Sequence, residues 1–183
     1  ADLDIAIPGV IDGMRYTRQG QACTAGSRVY IHEKIYDKVL NGAVEKLSKL
    51  KMGNALDEKS DIGAIISEEQ LKRTLYYMDI AKKNSSTKIL HGGNQSKGGD
   101  YKDGFYYEPT LLSGLPVSSP VCQEEVFGPV ACAIPFKSFD EVMESANDTQ
   151  FGLSAVLWTK DLSRALQFVD EIEAGFVQVN QCV

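Results

Sequence analysis

The sequence is poor in the residues that metal centres and histidine-dependent catalysts need. Its 183 residues include two histidines and four cysteines, and their positions lack the paired spacing of a zinc site. The glycine-rich patterns of phosphate binding, G-x-G-x-x-G and G-x-x-x-x-G-K, are both absent. The sequence therefore predicts no metal centre and no nucleotide-binding loop among these residues.

Other absences bear on the partners and the setting of the protein. The net charge is −6 and no basic stripe is present, so we expect no nucleic-acid interface. No apolar run approaches the length of a membrane span, and no secretory signal is recognisable. We therefore expect no membrane association, and free thiols in a reducing, cytoplasmic setting.

What is present is ordinary for a globular α/β protein. Hydrophobic residues make up 43% of the chain and charged residues 24%, and the length suits one domain. Short apolar runs alternate with amphipathic helical patterns, and there is no internal repeat or linker. This alternation predicts a largely parallel sheet with helices packed on both faces.

The predicted elements follow from periodicity and capping residues. A helix is expected over 3–14, with Pro8 near its first turn because an interior proline removes a hydrogen bond. Capping boxes at 67–70 and 138–141 begin two further helices. The other predicted helices cover 33–50 and 161–173, the latter with Leu162, Ala165, Leu166 and Val169 on one face. Strands are expected at 28–32, 88–91, 105–112, 130–136, 153–158 and 176–179.

Cys23 is the cysteine with the most distinctive surroundings. It lies between a helical stretch and a strand, among small residues that leave its sulfur approachable. The guanidinium of nearby Arg28 could favour the reactive thiolate. The competing interpretation is a buried cysteine that acts as a small hydrophobe. Of the other cysteines, Cys132 is expected in the core, Cys122 is expected to be buried, and Cys182 is expected to be exposed.

Two segments together favour the reactive interpretation. Residues 20–28 read G-Q-A-C-T-A-G-S-R and residues 124–130 read E-E-V-F-G-P-V. They resemble the active-site cysteine signature and the cofactor-contacting segment of the NAD(P)-dependent aldehyde dehydrogenase superfamily. Further similar stretches lie at 63–70, 107–111, 147–152 and 175–180. The resemblance thus covers essentially the whole chain, in the family's order.

The resemblance implies an aldehyde dehydrogenase catalytic domain over residues 1–183. It also implies that this domain is a fragment, without the family's nucleotide-binding domain and C-terminal oligomerisation segment. The expected activity is oxidation of a small-molecule aldehyde to a carboxylic acid with NAD or NADP, which the absent domain would mainly bind. The reaction would pass through a cysteine thiohemiacetal and a thioester. We expect the fragment alone to be inactive, and its full-length parent to be a homodimer or homotetramer.

The same resemblance assigns roles to individual residues. Cys23 would be the nucleophile, Glu125 would bind the nicotinamide ribose hydroxyls, and Phe127 would pack near the nicotinamide ring. The expected substrate pocket comprises Tyr16, Ala22 and Thr24. The family's general-base glutamate and its oxyanion-binding asparagine have no counterpart in this sequence.

Three alternatives remain open from the residues. One is a CoA-acylating semialdehyde dehydrogenase, in which CoA replaces water as the thioester acceptor. Another is a cysteine-dependent esterase or hydrolase, which would need His32 or His91 as the base for Cys23. The third is a non-catalytic interaction domain that has kept the fold.

Overall fold

The computed structural model describes residues 1–182, which form two sheets with helices packed around them. The larger sheet has four strands in the order β1-β4-β3-β2. Strands β1, β4 and β3 are mutually parallel, and β2 is antiparallel to β3 at one edge. These strands span Arg28–His32 (β1), Lys88–His91 (β2), Thr110–Ser113 (β3) and Val130–Phe136 (β4). The predicted α/β class with a mostly parallel sheet is confirmed.

A second, two-stranded parallel sheet pairs β5 with β6. These strands span Ser154–Leu157 (β5) and Phe176–Val179 (β6), and a helix connects them. The described residues form six α-helices: Leu3–Gly13 (α1), Tyr36–Leu47 (α2), Glu68–Lys83 (α3), Pro120–Gln123 (α4), Phe139–Asn147 (α5) and Leu162–Glu171 (α6). Short 3-10 turns cover Tyr16–Arg18, Glu33–Ile35 and Gly99–Tyr101.

The four-stranded sheet is covered on both faces, as the sequence predicts. Successive side chains along a strand point to opposite faces, so alternate residues of β4 enter two separate cores. One core joins the sheet to α1 and α2 and includes Ile31, Leu111, Ala131 and Ala133. The other joins it to α3 and α4 and includes Leu112, Val130, Cys132 and Ile134.

Side-chain caps begin the helices where the sequence places them. The Ser67 hydroxyl accepts a hydrogen bond from the Gln70 N–H at the start of α3. Ser138 caps α5 in the same way, and Asp161 caps α6. Such caps satisfy backbone donors that have no partner inside the helix. The three starts are therefore local features of the sequence.

Two predictions about local structure are wrong. Pro8 is the sixth residue of α1 rather than part of its first turn. A proline has no N–H to donate to the carbonyl four residues earlier, which here belongs to Asp4. The helix tolerates this loss because Asp4 is exposed, so water can replace the missing donor. The strand predicted over 105–112 is also too long and displaced, since β3 covers only Thr110–Ser113. Residues before it form an isolated bridge, Gln95 with Tyr107.

The helix α6 exposes its apolar side chains. Leu162, Leu166 and Val169 are 73%, 59% and 50% exposed, whereas Phe168 is buried. The predicted apolar stripe is therefore present, but it does not face a core within the described residues. Each helix within residues 1–182 is too short or too polar to span a bilayer.

Candidate active site

Two loops meet at the amino ends of β1 and β4. Cys23 lies five residues before β1, and Phe127 lies three residues before β4. These strands are adjacent and parallel, with Arg28 opposite Cys132 in the register. Loops that enter neighbouring parallel strands reach the same edge of a sheet. The topology therefore brings together two segments that are about a hundred residues apart in the sequence.

Backbone hydrogen bonds fix the loop that carries Cys23 on both sides of the cysteine. Before it, the Gly20 N–H donates to the Arg15 carbonyl at 3.0 Å. After it, the Gly26 N–H donates to the Gly13 carbonyl at 2.9 Å. The Gln21 side chain accepts from the Ile66 N–H at 3.1 Å. Cys23 therefore projects from a loop whose position is fixed by α1 and by the segment before α3.

Cys23 is exposed and borders a small recess shared with the second loop. The recess has a volume of about 30 Å³, which is too small for an organic substrate. A substrate must therefore reach the sulfur from its exposed side. The residues lining the recess come from both loops and the adjacent core: Met14, Gly20, Ala22, Cys23, Ala25, Ser27, Glu125, Val126, Phe127, Gly128 and Val130.

The structure brings Glu125 and Phe127 to the same recess as Cys23. Glu125 is exposed, and its carboxylate forms no hydrogen bond or ion pair with the part of the chain that the structure describes. Phe127 is half-buried and has a positive φ of 53°. A free carboxylate and an accessible aromatic ring beside a thiol are suitable for binding the hydroxyls and the ring of a nicotinamide riboside. These residues therefore fit the implied cofactor.

Helix α3 contributes side chains that the sequence analysis did not assign to the site. The Gln70 amide donates to the carbonyls of Val126 at 3.0 Å and Phe127 at 2.8 Å. The Arg73 guanidinium donates to the Glu125 carbonyl at 2.6 and 3.2 Å. The sequence predicts a role for Gln70 only within a capping box, and none for Arg73. The i, i+3 spacing of these two polar residues on one helical face is the signal that could have identified them.

Arg28 is not placed to activate Cys23. Its guanidinium donates to the carbonyls of Ser145 and Ala146, at 3.4 and 3.1 Å, and lies over the Tyr30 ring. Those carbonyls belong to the last turn of α5, where a cation is favoured by the helix dipole. The predicted electrostatic role at Cys23 is therefore replaced by a structural one.

The predicted substrate-pocket residues lie in different environments. Ala22 and Thr24 flank the exposed cysteine and are half-buried, and the Thr24 carbonyl accepts from the Ser154 hydroxyl at 3.4 Å. Tyr16, in contrast, is 2% exposed, and its hydroxyl donates to the Thr110 carbonyl. Ala22 lines the recess, whereas Thr24 and Tyr16 do not. The Tyr16 ring fills the core beneath the loop.

The other cysteines are less accessible than Cys23. Cys122 and Cys132 are 4% and 2% exposed, as predicted. Hydrogen bonding with Cys122 and burial hold the pKa of the Cys132 thiol well above its usual range. Cys182 is half-buried rather than exposed, with its thiol donating to the Gly9 carbonyl. Burial raises the pKa of the Cys182 thiol.

Neither histidine lies at the recess. His32 is at the end of β1 and accepts from the Lys34 N–H, and His91 is at the end of β2, with Nδ1 2.8 Å from the Pro109 carbonyl oxygen. Among the described residues, no group of three or more histidines, cysteines or acids is placed to hold a metal ion. Nothing in this geometry favours the histidine-assisted hydrolase alternative.

The described residues form an α/β fold in which the exposed Cys23 borders a small recess. The family model described as "Aldehyde dehydrogenase family" matches residues 1–183, so the chain belongs to the aldehyde dehydrogenase family. It is 40% identical over 167 residues to a D-glyceraldehyde dehydrogenase (NADP(+)) of Picrophilus torridus, covering 91% of this chain and 33% of the relative. It is 41% identical over 180 residues to an aldehyde dehydrogenase of Deinococcus radiodurans, and this match covers 98% of this chain and 34% of the relative.

Solved structures show the same likeness. A crystal structure of betaine aldehyde dehydrogenase from Staphylococcus aureus in complex with NAD+ superposes with a TM-score of 0.95 at 33% identity. The match covers 100% of this chain and 36% of that structure. The chain thus spans about a third of the length of the relatives it matches.

Proposed function

We propose that this chain is the catalytic part of an NAD(P)-dependent aldehyde dehydrogenase that oxidises an aldehyde to a carboxylic acid. The observation that carries the proposal is that the exposed Cys23 lines one small recess together with Glu125 and Phe127. Membership of the aldehyde dehydrogenase family and the NAD+ complex of a similar structure support it. The nucleotide-binding part of the enzyme would lie outside these 183 residues.

Cys23 is proposed as the nucleophile. Its thiolate adds to the electrophilic carbonyl carbon of the aldehyde and forms a tetrahedral thiohemiacetal. Glu125 and Phe127 would hold NAD(P), which would supply the acceptor for the hydride that leaves that carbon. The Cys23 thioester that remains is hydrolysed by water to release the acid, so one difficult oxidation becomes two easier steps.

The backbone N–H of Cys23 is proposed as a donor to the oxyanion of the tetrahedral intermediate. Within the described residues this N–H makes no backbone hydrogen bond, so it is free to donate. A preplaced donor lowers the barrier because it needs no reorganisation as charge develops. The general base and the second oxyanion donor are not assigned to any residue of this chain.

Glu125 and Phe127 are proposed to hold the cofactor. The Glu125 carboxylate can accept hydrogen bonds from two ribose hydroxyls, and the Phe127 ring can pack beside the nicotinamide. Both would orient the acceptor toward the thiohemiacetal on Cys23. Such positioning accounts for a large part of the rate enhancement of a two-substrate reaction.

The substrate is defined here only as an aldehyde. Ala22 and Thr24 are small neighbours of the sulfur and are proposed to shape the substrate pocket, whereas Tyr16 is left out because of its burial. The relatives are named for different aldehydes, D-glyceraldehyde and betaine aldehyde. We also propose a cytoplasmic location and a homodimeric or homotetrameric full-length enzyme.

The test compares Cys23→Ser with Cys182→Ser in the full-length enzyme. NADH or NADPH production with a panel of aldehydes is expected to be abolished by Cys23→Ser and retained in Cys182→Ser. The isolated chain is expected to produce none, because hydride transfer needs a positioned acceptor. Robust turnover by Cys23→Ser would refute the proposal. An acyl-CoA product formed with added CoA would instead favour the CoA-acylating alternative.

A further inference from the structure

We propose that the polar face of α3 positions the 124–128 segment, with Gln70 and Arg73 as its positioning residues. They act through the backbone of the segment and hold Glu125 and Phe127 toward Cys23. The inference rests on the proposed function, because it concerns the residues assigned to the cofactor. It adds a helix that the mechanism does not otherwise use.

The 124–128 segment contains a strained residue that needs external support. Phe127 has a φ of 53°, a left-handed conformation that bulky side chains rarely adopt. Such a conformation persists only when the surrounding structure enforces it. The carbonyls of Val126 and Phe127 both accept from the Gln70 amide. Gln70 therefore holds the segment by hydrogen bonds at the strained residue itself.

Gln70 is not needed for the start of its own helix. In a reciprocal capping box the N3 side chain returns to the N-cap N–H. Here the Ser67 hydroxyl accepts from the Gln70 N–H, but the Gln70 amide nitrogen points to the 124–128 segment instead. Removing the amide therefore removes a contact with the segment and leaves the Ser67 cap in place.

Arg73 and Tyr77 extend the contact by one and two helical turns. Nε and Nη2 of Arg73 both donate to the Glu125 carbonyl, and the Tyr77 hydroxyl donates to the Glu124 carboxylate at 2.7 Å. The Arg73 guanidinium also lies over the Tyr77 ring, 5.4 Å from its centroid. Because Arg73 holds the main chain of Glu125, the Glu125 carboxylate remains free for a ligand.

The test uses substitutions that remove the hydrogen bonds and preserve the shape of the side chain. Gln70→Met is close in length to glutamine and has no donor, and Gln70→Glu places oxygens against two carbonyls. Lys72→Gln is the matched control, because Lys72 is exposed on the opposite side and, among residues 1–182, pairs with Glu68 alone. Arg73→Met removes both hydrogen bonds to the Glu125 carbonyl. Arg73→Lys keeps one donor group that can reach this carbonyl.

The first readout needs no cofactor or aldehyde. The N–H groups of Glu124 and Val130, at and just beyond the two ends of the segment, donate to the carbonyls of Pro120 and Gly128. In the full-length enzyme, amide hydrogen exchange at Glu124 and Val130 is expected to accelerate about tenfold or more in Gln70→Met, because two hydrogen bonds that hold the segment are lost. Exchange within α3, at residues 71–81 of Gln70→Met, is expected to match the wild type. In Lys72→Gln, exchange is expected to match the wild type in both regions. Arg73→Lys is expected to fall between Arg73→Met and the wild type. Unchanged exchange at Glu124 and Val130 in both Gln70 variants would overturn the inference.

The second readout links the segment to the cofactor. Gln70→Met is expected to raise the KM for NAD or NADP several-fold more than the KM for the aldehyde, whereas Lys72→Gln changes neither. Equal changes in both KM values would overturn the positioning role. The hydrogen-exchange result is independent of turnover. It would therefore stand even if Cys23→Ser showed the proposed reaction to be wrong.

Discussion

Gly20 and Gly128 lie in direct backbone contact and join the two loops of the site. A Cβ atom on Gly20 would lie 2.2 Å from the Gly128 carbonyl oxygen. A Cβ atom on Gly128 would lie 2.4 Å from the Thr74 hydroxyl oxygen. Gly20 thus brings the cysteine loop against the 124–128 segment, and Gly128 brings that segment against helix α3. Only residues without side chains allow the thiol and the proposed cofactor residues to come this close.

The substitution Gly20→Ala should separate the two loops. Gly20 has a φ of +65°, so alanine adds conformational strain to the clash with the Gly128 carbonyl. We expect the free energy of unfolding to fall by about 2–4 kcal/mol, combining the left-handed backbone cost with overpacking. Urea denaturation of the chain measures this loss.

Gly99→Ala is the matched control for backbone strain. Gly99 also has a positive φ, +53°, but nothing lies within 4 Å of its Cβ position. It should therefore cost only the conformational part, about 1 kcal/mol. Equal losses in the two variants would show that the contact between Gly20 and Gly128 is not tight.

The elements of the site could be predicted from the sequence, but their mutual arrangement could not. Small neighbours and the family resemblance distinguish Cys23 in the sequence, and the caps at Ser67 and Ser138 follow from local hydrogen bonding. Whether Arg28 turns toward Cys23 or toward the end of α5 depends on contacts more than a hundred residues away. The hydrogen bond from the Gln70 amide to the Phe127 carbonyl likewise joins residues that are distant in the sequence.

Cys23 should be alkylated before the other three cysteines. It is exposed, whereas Cys122 and Cys132 are 4% and 2% exposed. Buried thiols react only when the fold opens, so their labelling should be slower by a factor on the order of 10³ or more. Cys182 should react at an intermediate rate because burial raises its thiol pKa.

Mass spectrometry of peptides after brief iodoacetamide treatment distinguishes the four sites. Cys23→Ser is the control, and it should remove the fast labelling without creating another fast site. Equal labelling of Cys23 and Cys132 in the folded protein would contradict the exposure described here. Labelling in denaturant should be similar at all four positions, which establishes that each peptide can be detected.

The apolar residues of α6 should contribute little to the stability of this chain. Periodicity places Leu166 on an apolar face, but sequence cannot show whether a partner covers that face. In the structure Leu166 is 59% exposed, whereas Leu112 is 0% exposed between two strands. We expect Leu166→Ala to change the free energy of unfolding by less than about 0.5 kcal/mol. Leu112→Ala should cost about 2–5 kcal/mol.

Urea denaturation of both variants under the same conditions measures the difference. A loss of more than about 1 kcal/mol in Leu166→Ala would mean that the exposed face is buried in solution, because surface substitutions rarely exceed ±0.5 kcal/mol. Sedimentation at several protein concentrations would then show whether self-association buries it. The same measurement on wild type provides the reference.

The hydrogen bond from Tyr77 to Glu124 should make the 124–128 segment sensitive to high pH. Burial, and then this hydrogen bond, raise the pKa of Tyr77 from 10.0 to about 12. The folded state therefore holds the phenol proton more tightly than the unfolded state. Its contribution to stability is complete below pH 10 and is lost as the pH rises from about 10 through about 12.

The difference between wild type and Tyr77→Phe isolates this contribution from the other tyrosines. Between pH 10 and pH 12 the free energy of unfolding should fall more steeply in wild type than in Tyr77→Phe. Tyrosinate absorbance should show one late-titrating phenol fewer in the variant. Glu124→Gln should move the Tyr77 pKa only part of the way back, because burial is the larger cause. Identical pH profiles in wild type and Tyr77→Phe would show that α3 does not hold Glu124 through this phenol.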